Sequence, residues 1–140
     1  MPSQSIWMIR LSLIYLAITI IIGGLLLIHK AVPVHPAVWG LLPVHFELAI
    51  WGWIIQFVMG TAYWMFPRFM KGKPRGSTNI ATLMVYLFNG GLLLLLLSIF
   101  DVYSSILAPA GRGLLLFSVT LFAALIWNRI LSYRKRTYDH

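Results

Sequence analysis

VHFELAIWGWIIQFVMGTAYWMFPR, residues Val44 to Arg68, is apolar over a membrane's width and yet carries His45, Glu47, Gln56 and Tyr63. About 20 apolar residues suffice to cross a ~30 Å hydrocarbon core. Backbone N–H and C=O groups in lipid find no water to bond, so a run of this kind must be a helix. Three further stretches read the same way: Leu11 to Ile28, Ile80 to Phe100, and Gly113 to Trp127 with a frayed continuation to Tyr133. The expectation is an all-α membrane protein. It is a four-transmembrane-helix bundle forming a single domain over residues 1–140, with helices at about 7–29, 44–66, 80–100 and 113–133.

Composition agrees. Hydrophobic residues make up 60% of the 140 and charged residues only 10%, against about a quarter charged in a soluble domain. Too little polar surface is left to face water, so the expected partner is the lipid bilayer. The net charge of +8 raises nucleic acid as a second candidate, but the basic residues sit at the ends of apolar runs rather than in one patch, and no nucleic acid is expected. The chain has no cysteine. Disulfides, thiolate metal sites and covalently attached heme are therefore excluded.

Charge also orients the chain. Arg10 precedes the first helix, Arg68, Lys71, Lys73 and Arg75 follow the second, and Arg129, Arg134, Lys135 and Arg136 close the fourth. Nine of the eleven basic residues thus fall on one side, with Lys30 and Arg112 on the other. The positive-inside bias places the nine in the cytoplasm, so both termini are expected to be cytoplasmic and the protein to lie in the inner (cytoplasmic) membrane, N-in and C-in. The first apolar run is longer than a signal-peptide core and lacks an A-x-A-like cleavage site, and reads as a retained anchor. His29 to Pro43 and Asp101 to Gly111 form the outer connections, and Met70 to Asn79 the inner one.

Chemistry concentrates on the second helix, because polar groups inside a membrane are costly and mark functional candidates. At 3.6 residues per turn, His45, Ala49, Gly52, Gln56, Gly60 and Tyr63 share a face, opposite Phe46, Ile50, Trp53, Phe57 and Trp64. A surface that starts with an imidazole and continues with small residues lets either a flat macrocycle or another helix come close. Both readings stay open at this level. His45 lies about 33 Å of helix from Pro67, and His29 about 28 Å from Arg10, so His29, His35 and His45 all fall at the outer boundary. Heme suits this apolar setting better than a bare zinc or copper ion, since the histidine spacing matches no metal motif. Its propionates would call on Lys30 and Arg112, the two outer cations. Glu47, about 200° around from His45, is expected to pair with Lys30 or Arg112 or to reach the interface; a proton-coupled transporter built on Glu47 is an alternative. Elsewhere, Gly23-Gly24 and Gly90-Gly91 suit close helix contact, Asn89 and Asn128 suit interhelical hydrogen bonds, and Leu92 to Leu97 reads as lipid-facing.

The segment resembles the second helix of the heme-copper oxidase catalytic subunit, closest to its nitric-oxide reductase and C-type oxidase branches. The likeness rests on Pro43-Val44-His45, Gly52, the stretch Gly60-Thr61-Ala62-Tyr63-Trp64-Met65, and Pro67-Arg68. It covers about 26 residues, the remainder fitting as a run of helices I to IV. The resemblance implies that His45 is an axial ligand of a b-type heme, with Ala49, Gly52, Gln56 and Gly60 as the heme-packing face, and electron transfer in a respiratory chain as the use. The chain departs from the family in having no histidine on its third and fourth helices. The copper-binding histidines and the second heme histidine are missing, so a complete heme-copper oxidase is not expected. A second ligand would come from His29, His35, another subunit, or His45 of a second copy in a homodimer or larger oligomer; a five-coordinate iron would bind gas. The rival expectation is a cofactor-free accessory subunit of a larger complex.

Overall fold

A computed structural model describes residues 1–66, 77–100 and 104–138. Among the described residues there are four long helices, each long and apolar enough to cross a membrane: α1 (Ser3–Ala31), α2 (Pro36–Met65), α3 (Thr78–Phe100) and α4 (Ser104–Tyr138). All regular structure among the described residues is helical. The outward side chains are apolar, among them Ile20, Ile21, Leu27, Leu93, Phe117 and Trp127, as a lipid-facing surface requires.

Proline sets three of the boundaries. Val32, His35 and Phe66 each precede a proline and adopt extended backbone, with φ/ψ of −133°/107°, −157°/134° and −62°/151°. The ring of a following proline disfavours the helical conformation at the residue before it. The inner connection, with Arg68, Lys71, Lys73 and Arg75, lies outside the described residues.

α2 is not uniform. A 3₁₀ turn over Pro36–Leu41 leads into an α-helical turn over Leu42–Glu47, a π-helical stretch over Leu48–Ile55, and an α-helix over Gln56–Met65. Pro43 sits in the first turn of Leu42–Glu47, where its missing N–H costs little. α4 begins at Ser104, nine residues before the expected Gly113, and carries Pro109 inside it. The stretch expected to be loop is helical, and at Gly111 it packs closely on α3. A Cβ on Gly111 would meet the Gly91 carbonyl oxygen at 2.7 Å and Leu95 N at 2.9 Å.

The core is built around α3, which touches each of the other helices and packs most extensively on α4. Ala81, Met84, Phe88, Leu92 and Leu95 recur every three or four residues along one face and are buried. The expectation that Leu92 to Leu97 faces lipid is thus corrected. Leu92 and Leu95 are core, and the run splits because a helix turns Leu93 and Leu97 outward. Of each glycine pair only one member is used: Gly23 and Gly91 have close neighbours, while Gly24 and Gly90 have none within 4 Å. Ser5 near the start of α1 bonds the Gly60 carbonyl, and Arg129 of α4 bonds the Tyr63 carbonyl, so the start of α1 and the far part of α4 lie at the same end of the bundle.

Candidate functional site

The three histidines lie toward the other end, and their ring nitrogens divide them into two kinds. His45 Nδ1 is 3.0 Å from the Thr19 carbonyl oxygen of α1. A carbonyl only accepts, so Nδ1 must carry the proton, leaving the Nε2 lone pair free. His29 is the reverse. Its Nδ1 accepts from the backbone N–H of Val34 at 3.0 Å and of His35 at 3.4 Å. His35 Nδ1 accepts from Ala37 N–H at 3.2 Å. In a neutral ring whose Nδ1 is an acceptor, the proton sits on Nε2, which then has no lone pair for a metal. The two candidate second ligands, His29 and His35, thus each turn Nδ1 to backbone N–H groups of the connection between α1 and α2. Among the described residues no three His, Asp or Glu side chains gather as a metal-ion site.

His45 is half-buried, wedged between α1 and α2. A Cβ on Gly23 would fall 2.8 Å from His45 Cε1, so the ring occupies the space that glycine leaves. Phe46 meets the ring edge-on at 5.8 Å. A ligating imidazole commonly donates its other N–H to a carbonyl, which fixes its orientation and raises its basicity. The donor chemistry at His45 therefore fits an axial ligand.

The surface beyond it does not fit a porphyrin in the expected place. Gly52 faces α1, where an added Cβ would meet Tyr15 Cγ at 2.9 Å, and Gly60 faces Met8 and Ile9 at 3.0 and 3.1 Å. Gln56 is fully buried and donates to Asn89. Ala49 is half-buried on the same helix. At Gly52 and Gly60 the small-residue face is filled by α1.

What that face builds instead is a polar junction near the middle of the bundle. Asn89 Oδ1 of α3 accepts from Tyr15 Oη of α1 at 3.0 Å and from Gln56 Nε2 of α2 at 3.2 Å, while Asn89 Nδ2 donates to the Val85 carbonyl at 2.9 Å. Tyr15 reaches Asn89 because Gly52, inside the π-helical stretch, has no side chain to block it. Sequence reasoning singled out Asn89 and Gln56 separately; the shared midpoint position of Tyr15, Gln56 and Asn89 on their helices is the signal that would have joined them. Asn128, by contrast, is exposed. Beside the junction, a cavity of about 360 Å³ opens between α1 and α3, lined by Gln4, Trp7, Thr82, Tyr86 and Asn89 among others.

The charged residues are also placed. Glu47 pairs with Arg112 at 3.1 Å across α2 and α4, so one of the two expected propionate cations already holds a carboxylate. Lys30 is exposed at the end of α1. Arg129, read from sequence as a boundary charge, is fully buried. Its guanidinium lies 4.3 Å over the Tyr63 ring and donates to the Tyr63 carbonyl at 3.1 Å, a cation set at the negative end of the α2 dipole. No signal in the sequence separates it from its basic neighbours. In comparisons with protein-family models, curated proteins and solved structures, nothing matches this chain.

Proposed function

We propose that this chain is a b-type heme protein of the cytoplasmic membrane, with His45 Nε2 as an axial ligand and electron transfer in a respiratory chain as its use. The observation that carries this reading is the His45–Thr19 hydrogen bond. It fixes the tautomer that ligates through Nε2 and holds the ring against Gly23, so little orientation is left to be lost on binding. When bound, the heme iron supplies one-electron chemistry. The lysine and arginine distribution orients the His45 end outward and both termini inward.

α1 covers Gly52 and Gly60, so a heme held by His45 would have to be seated at the half-exposed part of that residue rather than along the small-residue face. His45 is the one histidine among the described residues with a free Nε2 lone pair, so a second copy of the chain, presenting its own His45 across a two-fold axis, is the partner this reading favours. A second reading rests on the same packing: with α1 sealing the small-residue face, the chain is a cofactor-free accessory subunit in which His45 fastens two helices.

Absorbance spectra of the detergent-purified protein, oxidised and reduced, separate the two. The heme reading expects a Soret band that is lost in His45→Ala and retained in Glu47→Ala. A colourless protein that stays colourless after hemin addition refutes it and leaves the accessory-subunit reading.

A further inference from the structure

α1 and α3 pack on one another far less than α3 packs on α4, and the gap between them is the cavity of about 360 Å³. It lies toward the end of the bundle where α1 starts, away from His45. One water takes up about 30 Å³ of liquid, so the space is far larger than a structural water needs. It falls at the small end of the about 300–1,000 Å³ usual for small-molecule sites. Its lining recurs at helical spacing, with Gln4, Trp7 and Leu11 from α1 facing Thr82, Val85 and Asn89 from α3. None of the described residues that line it is charged. Trp7 is 58% and Tyr86 74% exposed, so the aromatic walls run out to the apolar outer surface of the bundle.

Hydrogen-bond donors are left over at both ends of this cavity. At one end Gln4 Nε2 donates to Thr82 Oγ1 at 2.9 Å. The second Nε2 proton and the Thr82 hydroxyl proton then have no acceptor among the described residues. At the other end Asn89 Nδ2 gives one proton to the Val85 carbonyl at 2.9 Å and keeps the second. Thr82 and Asn89 share one face of α3, about 10.5 Å apart along the axis. We propose that the cavity binds the head of a quinone, a flat uncharged ring soluble in the bilayer, with one carbonyl oxygen at the Gln4–Thr82 pair and the opposite one at Asn89. The two para oxygens of such a ring are about 5 Å apart. With a hydrogen bond of about 2.9 Å at each end, the donors it joins are about 11 Å apart, which matches the rise from Thr82 to Asn89. Trp7 and Tyr86 supply aromatic surface for the ring. An acyl chain fits worse, because it leaves all of these donors unpaired. A phospholipid head also fits worse, because its phosphate finds no cation among the described lining residues. The site uses none of the histidines and needs no iron.

The test titrates the full chain in detergent with decylubiquinone, and maps an azido-substituted ubiquinone analogue by photolabelling and peptide mass spectrometry. Saturable binding is expected, with label on peptides from the start of α1 and from the Thr82–Asn89 part of α3. Thr82→Val keeps the shape of the side chain and removes its hydroxyl. It should weaken binding about twofold to twelvefold, the worth of one hydrogen bond. Val85→Phe, whose ring grows into the cleft, should weaken it about tenfold or more while circular dichroism stays helical. Absence of saturable binding to the wild-type chain overturns the proposal, and that arm needs no variant. Label confined to the other helices overturns it as well, as does displacement of the quinone by an equal concentration of phosphatidylcholine, which would make the cleft an ordinary lipid groove. A protein that takes up no heme and still binds the quinone supports this site and removes the heme reading alone.

Discussion

Replacing Gly23 by alanine should cost far more than replacing Gly24, although the two are neighbours on one helix. A Cβ at position 23 would lie 2.8 Å from His45 Cε1, whereas carbon atoms in contact settle at about 3.5–4.0 Å. The ring must retreat by about 1 Å, which carries Nδ1 out of range of the Thr19 oxygen it now meets at 3.0 Å. Loss of that hydrogen bond costs about 0.5–1.5 kcal/mol, and the overpacking about 1–3 kcal/mol more. A destabilisation of about 1.5–4.5 kcal/mol follows for Gly23→Ala. Gly24 has nothing within 4 Å, so Gly24→Ala should be neutral or gain up to about 1 kcal/mol of helix propensity. Unfolding in mixed detergent micelles, followed by circular dichroism, measures both. Equal stabilities for the two variants would refute the placement of His45 against α1, and with it the fixed tautomer.

Three other substitutions probe the bundle. Asn89→Leu strips the acceptor from Tyr15 and from the fully buried Gln56; micelle unfolding should show a loss of about 1–3 kcal/mol, and adding Gln56→Leu should cost less than the sum of the two changes, because both ends of that bond are then removed. Gly111→Val drives a side chain into the Gly91 carbonyl and the Leu95 backbone, which cannot yield as a side-chain tip can. It should destabilise the protein by about 3 kcal/mol or more in the same assay. Glu47→Gln breaks the pair with Arg112, whose side chain is 60% exposed, so its effect should stay within about 1 kcal/mol and shrink further in high salt.

The fold was readable because lipid imposes a severe constraint: an apolar run of membrane length has little choice but to be a helix. The helix ends at Val32 and Phe66 coincide with the prolines that follow them, although the apolar run alone put the first end three residues early, at about residue 29. The start of α4 did not, since Pro109 and Gly111 look like a loop until Gly91 is known to sit against them. The face containing His45, Gly52 and Gly60 was legible as a surface of close approach. Its occupant was not, because helical periodicity says which side chains are small and not which neighbour fills the space. Similarly, three histidines at one end could be counted, but whether a ring nitrogen accepts from an N–H or donates to a carbonyl is decided by the path of the backbone around it. Arg129 shows the same limit: its burial under Tyr63 depends on where α4 crosses α2.

The central claim is a bond from His45 Nε2 to iron, and pulsed electron paramagnetic resonance of the ferric protein with ¹⁵N-labelled histidine tests it most directly. The account predicts a low-spin signal with strong coupling to imidazole nitrogen that disappears in His45→Gln. A ferric signal whose nitrogen coupling is unchanged by that substitution, or protein that takes up no heme at all, would contradict it.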